Sequence, residues 1–458
     1  MGVLLVALLF VTTCSLALYR PHYGIIGYFG WTLLKPEYLW QWALPADAGL
    51  QKYLALATIA GFIIHRFPGH TIRGRQLVAC VLLIVYLLLS YISSFQSADP
   101  PQTAFFMDVI WKIILMTLLA VRLLDTREKL ILMMWVAVLA QGFNAFEINM
   151  QYFRDGYSLA LNYGWGFNDS NTYSIVTVPI MAFSAFLALN SAKMWQKSIA
   201  AVIFIMQLHE IFLLESRGCM LGGLLLCGVV WWYSPKTISL QTGAVAAVII
   251  GAILAGPPII AEFSSIFSET DELDASAASR FDIWVAGWEI TKDYPWLGLG
   301  PWGAETTVPE YYPGGLDVPR KALHNLFLEV STGSGLPATV AYLGFFFLPV
   351  LAIRRRIASK RFRADRTLHG IMVAVLAGIS GYWLSSVFSS GILLESGYLC
   401  AAIGIASLAI ADREQRAEAK VEDAALDRVS GAGRSAPDVV PVSREGAAEY
   451  YRDMHRSS

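Results

Sequence analysis

Apolar residues in this chain run in long unbroken stretches instead of alternating with polar ones. Gln76–Ser93, Ser170–Asn190, Gly218–Ser234, Ser239–Ile260, His369–Phe388 and Gly397–Ala411 contain no Asp, Glu, Lys or Arg. Runs of about 20 such residues are what a helix needs to cross the hydrocarbon core of a bilayer. Extending the pattern predicts spans near 1–19, 22–35, 50–65, 76–93, 104–123, 130–151, 170–190, 196–214, 218–235, 239–260, 324–353, 369–389 and 391–411. The fold class expected is therefore an all-α polytopic membrane protein of about 12–13 transmembrane helices. One long polar interval, 261–323, interrupts the series. Within it Arg280-Phe-Asp-Ile-Trp284-Val-Ala-Gly-Trp288 predicts an amphipathic helix whose aromatics suit a membrane interface. It is expected to stop at Asp-Tyr-Pro295, before a Gly/Pro/Trp turn region that runs to Gly303.

Composition agrees: 56% of the 458 residues are hydrophobic and 15% charged, against about a quarter charged in soluble domains. A net charge of −1 gives no global field for nucleic acid. The five cysteines, Cys14, Cys80, Cys219, Cys227 and Cys400, all sit in apolar stretches and read as small buried hydrophobes with no disulfide or zinc spacing. The opening Met-Gly-Val-Leu-Leu lacks a basic n-region and reads as a retained span.

Basic residues set the expected orientation. Arg354, Arg355, Arg356, Lys360, Arg361, Arg363 and Arg366 crowd one short loop, which should be cytoplasmic. Alternation places the Arg66/Arg73/Arg75, Arg122/Arg127/Lys129, Lys193/Lys197 and Lys236 loops there too, and leaves the N-terminus outside. The opposite face receives the turn at 215–217 and the 261–323 loop, which carries eleven acidic against four basic residues. The charged segment from Asp412 reads as a disordered cytoplasmic tail or a short solvated helix. Three parts result: N-terminal helices (1–160), a core with the external loop (161–411), and the tail (412–458).

Three ionisable residues at the external face stand out, because charge at a membrane threshold is costly to keep. Arg217 lies on the tight turn Glu215-Ser216-Arg217-Gly218. It reads either as an arginine snorkelling to headgroups or as a planar fork for phosphate. Arg280 begins the expected amphipathic helix, to pair with Asp271, Glu272 or Asp274 or to point at a lipid headgroup. His324 precedes a span with Glu329 behind it, as a water-capped terminal histidine or as a base for a sugar hydroxyl. Together they point to chemistry on a lipid-linked phosphate. Gln141, Asn144, Glu147 and Gln151 share a helix face, and His209-Glu210 lies within another span. Both sets read as helix–helix hydrogen bonding, or else as cavity wall. Gly298-Leu-Gly300-Pro-Trp-Gly303 fits G-x-G-x-x-G but follows no strand and contains proline, so it reads as a turn. Glu269, Asp271, Glu272 and Asp274 read as solvated acids, with a divalent cation as the minor alternative.

The ordered set Leu-Leu-Glu-Ser216-Arg217-Gly218, Ser279-Arg280-Phe-Asp-Ile-Trp284, Pro295-Trp-Leu-Gly298-Leu-Gly300 and His324-Asn325-Leu-Phe-Leu-Glu329 resembles the O-antigen ligase family. That family shares a domain with O-antigen polymerases and bacterial O-oligosaccharyltransferases. Phe167-Asn168-Asp169-Ser-Asn171 is a softer match, and the resemblance covers most of 160–350. The opening Leu/Ala span, Arg20-Pro21 and the Trp/Pro-rich region to 45 are similar to the O-glycosylation ligases found with exosortase systems. The resemblance implies transfer of a saccharide from undecaprenyl pyrophosphate at the periplasmic face of the bacterial inner membrane. The acceptor would be a lipid A core, a growing glycan or a protein hydroxyl. No metal and no cofactor are implied. Arg217 and Arg280 become the implied pyrophosphate ligands and His324 the implied base, with Asn325, Glu329, Glu215 and Asn171 in support. A polymerase using the same donor is the alternative within this class. Outside it stand a lipid-linked sugar transporter, for which internal repeats are expected and none is evident, and a structural membrane subunit.

Overall fold

A computed structural model describes residues 2–42, 44, 49–167, 169–238, 241–243 and 271–432. Among them the regular structure is helical, with no strand. The long helices are α1 (Gly2–Tyr19), α2 (Pro21–Leu34), α3 (Leu50–Ile64), α4 (Gly74–Ser94), α5 (Pro100–Leu123), α6 (Arg127–Asp155), α7 (Ser170–Asn190), α8 (Met194–Leu213), α9 (Arg217–Tyr233), α10 (Asp271–Asp293), α11 (Leu326–Ile357), α12 (Arg366–Ser386) and α13 (Glu395–Ala432). Among the described residues, eight helices are long and apolar enough to cross a membrane, and Leu4–Tyr19, Leu50–Ile64 and Arg217–Tyr233 are shorter apolar helices. The expected spans coincide with these helices, except 239–260, most of which lies outside the described residues. The protein is an all-α polytopic membrane protein.

Helix starts follow ordinary capping chemistry. The side chains of Asp99, Thr126, Asp169, Asn325 and Asp365 each accept a backbone N–H of the first turn, meeting donors that a helix leaves without internal partners. The most enclosed helices are α7 and α13, with 89% of each apolar window buried. Both are rich in the small residues Ala and Ser, so neighbouring helices can approach closely. Gly222 of α9 is one such contact: a Cβ there would lie 2.1 Å from Ser385 Oγ and 2.6 Å from the Gly381 carbonyl of α12.

Two ends of the bundle differ chemically. At one, Arg127 Nη2 pairs with Asp365 and Glu414, each at 2.6 Å, and Arg356 pairs with Asp412. His65 Nε2 meets the Leu18 carbonyl at 3.0 Å, so α1 runs toward this basic end, as the alternation requires. At the other end lie the N-termini of α7, α9, α11 and α13, and α10 packs there against α11 and Phe388. The polar face of α6 makes helix–helix bonds. Gln141 Nε2 donates to Thr177 (2.8 Å) and Glu210 (3.0 Å), Asn144 to the Leu33 carbonyl (2.7 Å), and His209 Nδ1 meets Asn149 Oδ1 at 2.5 Å.

One expectation changes: the amphipathic helix does not start at Arg280, because residues from Asp271 onward are already helical, and Arg280 is therefore mid-helix. Of the two readings of the segment from Asp412, its described part, Asp412–Ala432, takes the helical one and continues α13, in a stretch rich in the good helix formers Ala, Glu, Arg and Lys. Residues 433–458 of that tail, Asn168 and Glu269 lie outside the described residues, as do the side chains of Asp271, Glu272 and Asp274.

Candidate active site

The 294–303 turn holds the external segment to the bundle through backbone groups. Leu299 N donates to the Thr332 carbonyl (2.8 Å) and Leu336 N to that of Pro295 (2.7 Å), while Gln96 Nε2 and Thr103 Oγ1 donate to the carbonyls of Gly298 (2.9 Å) and Pro301 (2.7 Å). Gly298 has φ +66°, and a Cβ on it would stand 2.4 Å from the Thr332 carbonyl oxygen. The glycines of the G-x-G-x-x-G lookalike thus serve a tight turn against α11, as the sequence reading has it.

From this anchor α10 returns across the mouth of the bundle. Ile283, Ala286 and Ile290 are buried on its inner face, while Phe281 and Trp288 stay exposed. Trp284 faces inward, its ring 5.9 Å from Phe388. Phe388 also abuts Gly218, whose Cβ would come within 2.8 Å of it. One aromatic side chain therefore links the helix of Arg280 to the first turn of α9, which begins at Arg217. The two guanidiniums are near enough to repel. Burial first and Arg217 second push the Arg280 pKa below its usual value.

His324 has φ +47°, uncommon for a residue other than glycine although histidine tolerates it better than most, and is half-buried. It stands just ahead of Asn325, the cap of α11. Its pKa is lowered, chiefly by burial. Asp169 opposes the shift, and Arg280 and Lys321 add to it. The imidazole is therefore neutral near pH 7 and free to accept a proton. Arg217, Arg280 and His324, separated by up to 107 positions in sequence, form one chain of mutually interacting groups at one end of the protein.

The supporting residues divide. Asn325 is buried and spends its side-chain oxygen on the amides of Phe327 (3.0 Å) and Leu328 (3.2 Å), so it caps the helix that follows His324. Glu329 is buried and accepts from Ser390 Oγ, while its other oxygen has no protein partner. Asn171 lies beside the first turn of α9, its carbonyl 3.9 Å from Cys219 Sγ. Glu215 is exposed on the turn at φ +52°. The structure adds Asp169, Lys321 and Ser390, which the sequence reading did not single out as site residues. Asp169 was visible inside the Phe167–Asn171 motif, but it looks like an ordinary helix cap, and it is one: it accepts from Thr172 N at 2.9 Å. Ser390 carries no local signal, because it meets Glu329 only across the fold.

A cation pair beside a neutral imidazole can hold a diphosphate and accept a hydroxyl proton. No curated protein matches the chain. Residues 200–343 match the family model described as O-antigen ligase. That segment contains Arg217, Arg280 and His324 and falls within the stretch carrying the sequence resemblance, so this part of the chain is similar to an O-antigen ligase domain.

Proposed function

We propose that the protein transfers a saccharide from undecaprenyl pyrophosphate to an acceptor hydroxyl, on a lipid A core, a protein or a glycan, at the periplasmic face of a bacterial inner membrane. The observation that carries this reading is the meeting of Arg217, Arg280 and His324 at the end of the bundle opposite the basic loops. His324 takes the proton of the acceptor hydroxyl as its oxygen bonds to the anomeric carbon. The bond from that carbon to the phosphate oxygen breaks, and its electron pair leaves on the diphosphate. Attack from the side opposite the leaving group inverts the anomeric configuration. Arg217 and Arg280 bind the diphosphate and offset the charge that grows on it, a task fixed donors perform without a metal. The basic loops face the cytoplasm by the positive-inside rule, which places this mouth outside and α13's extension inside.

The test is transfer by the full-length protein in nanodiscs, with undecaprenyl-pyrophosphate glycan, EDTA and a panel of acceptors. Product in EDTA that depends on His324 supports the reading, and the acceptor used separates ligase from polymerase. Movement of the donor between leaflets without product would replace it with a transporter.

A further inference from the structure

The basic end carries a second site, unconnected with glycosyl transfer. Between the first turn of α4, the last turn of α11 and the middle of α13 lies a cavity of about 410 Å³, lined by Arg73, Arg75, Arg355, Arg356 and Arg416, with Asp412 as the one acidic group. Three helices distant in sequence each bring arginine to it. Asp412 is already engaged: it pairs with Arg356 and accepts from Gln76 Nε2 at 2.7 Å. Arg356 also donates to Gln415 Oε1 (2.6 Å), and Arg416 Nε donates to the Asp412 carbonyl (3.0 Å). Arg73, Arg75 and Arg355 are exposed and have no ion pair among the described residues. An excess of positive charge therefore faces one hollow.

The surroundings of the hollow identify its occupant. Its inner wall includes Ala352, Leu408 and Ala409. Beside Arg75 the outer surface of α4 exposes Leu77, Val78 and Val81, and one turn from Arg355 α11 exposes Leu351. These apolar side chains belong to helices that cross the membrane, so a headgroup held by the arginines would lay its acyl chains along them. A free phosphate would use the charge and leave the apolar strip unexplained. We infer that this cavity binds the phosphate of an anionic membrane lipid, with Arg73, Arg75 and Arg355 as its main ligands and Arg356 and Arg416 held in place behind them. Guanidinium forks suit phosphate oxygens in this way, and basic pockets between membrane helices are recurrent headgroup sites.

The test measures lipid binding to the full-length protein in nanodiscs by competition between phosphatidylglycerol and phosphatidylcholine at physiological salt, with inorganic phosphate as a separate ligand. Wild type is expected to prefer phosphatidylglycerol. Since each arginine near a bilayer surface contributes about fivefold, the triple change Arg73→Ala, Arg75→Ala, Arg355→Ala should cut the preference roughly 100-fold. The corresponding triple change to Lys should keep much of it, showing that the fold survives substitution. Arg66→Ala, Lys193→Ala, Lys197→Ala removes the same charge from the same end outside the cavity, and should alter it less than about threefold. Equal loss in that control would reduce the effect to general surface charge and overturn the site. So would an unchanged preference in the cavity variant, or saturation by inorganic phosphate without preference for the anionic lipid.

Discussion

At His324 two signals coincide, an uncommon backbone conformation and a proton affinity below that of a free imidazole. Residues that combine such features cluster at functional sites. His324→Ala should lower transfer about 10²–10⁴-fold with the donor still bound, as measured by single turnover and by lipid-donor binding. Because burial depresses the His324 pKa, the base form persists to lower pH than in a free imidazole and is lost only as pH falls through the lowered value. The acidic limb of kcat/KM should therefore lie below 6.5. Asp169 opposes the depression and Lys321 adds to it. Asp169→Asn, which keeps a capping oxygen, should move the limb lower, and Lys321→Ala should move it higher; limbs that stay fixed would remove His324 from the rate equation. Replacing Arg217 or Arg280 with Ala should cost about 10²–10³-fold. Lys should rescue poorly at either position, because the fork rather than the charge makes the bidentate contact.

At the scale of elements, the site depends on how α9, α10 and α11 are held. Asn325 caps α11, the helix that follows His324. Asn325→Ala should destabilise by about 1 kcal/mol and reduce transfer, while Asn325→Asp should restore both, because Asp also offers a capping oxygen. Rescue of stability without activity would give Asn325 a direct part in the chemistry. The contact of Gly222 with Ser385 and Gly381 seats α9 against α12, and with it Arg217. Gly222→Val should lower the thermal midpoint in detergent, at about 1–3 kcal/mol of overpacking. Gly228→Val in the same helix, where a Cβ would meet nothing within 4 Å, should cost much less. Capping and helix-forming signals are local, which is why α7, α11 and α12 start within a few residues of where the sequence places them. The sequence pattern puts a helix start at Arg280 because an arginine before an aromatic run resembles a beginning, although Asp271–Ser279 adds no helix breaker and is helical too.

For the whole molecule, the separation of a basic end from the mouth that holds the candidate site predicts the direction of insertion. In a cysteine-free background, Lys321→Cys should react in intact cells with a maleimide that crosses the outer but not the inner membrane. Arg355→Cys should react only after the inner membrane is opened, and reversed labelling would invert the proposed orientation. The all-α class, the spans and the candidate residues were legible in the chain itself, because hydrophobic run length and the cost of charge in a membrane are properties of short windows. The polar faces of α6 and α8 were legible as residues but not in their role. Whether Gln141 and Glu210 bond across helices or line a cavity depends on partners tens of positions away. Only the tertiary structure brought Arg280 beside Arg217 through Trp284 and Phe388, joined Ser390 to Glu329, and set Asp169 and Lys321 against His324. Electrostatic coupling depends on distance in space, and no window of sequence contains that distance.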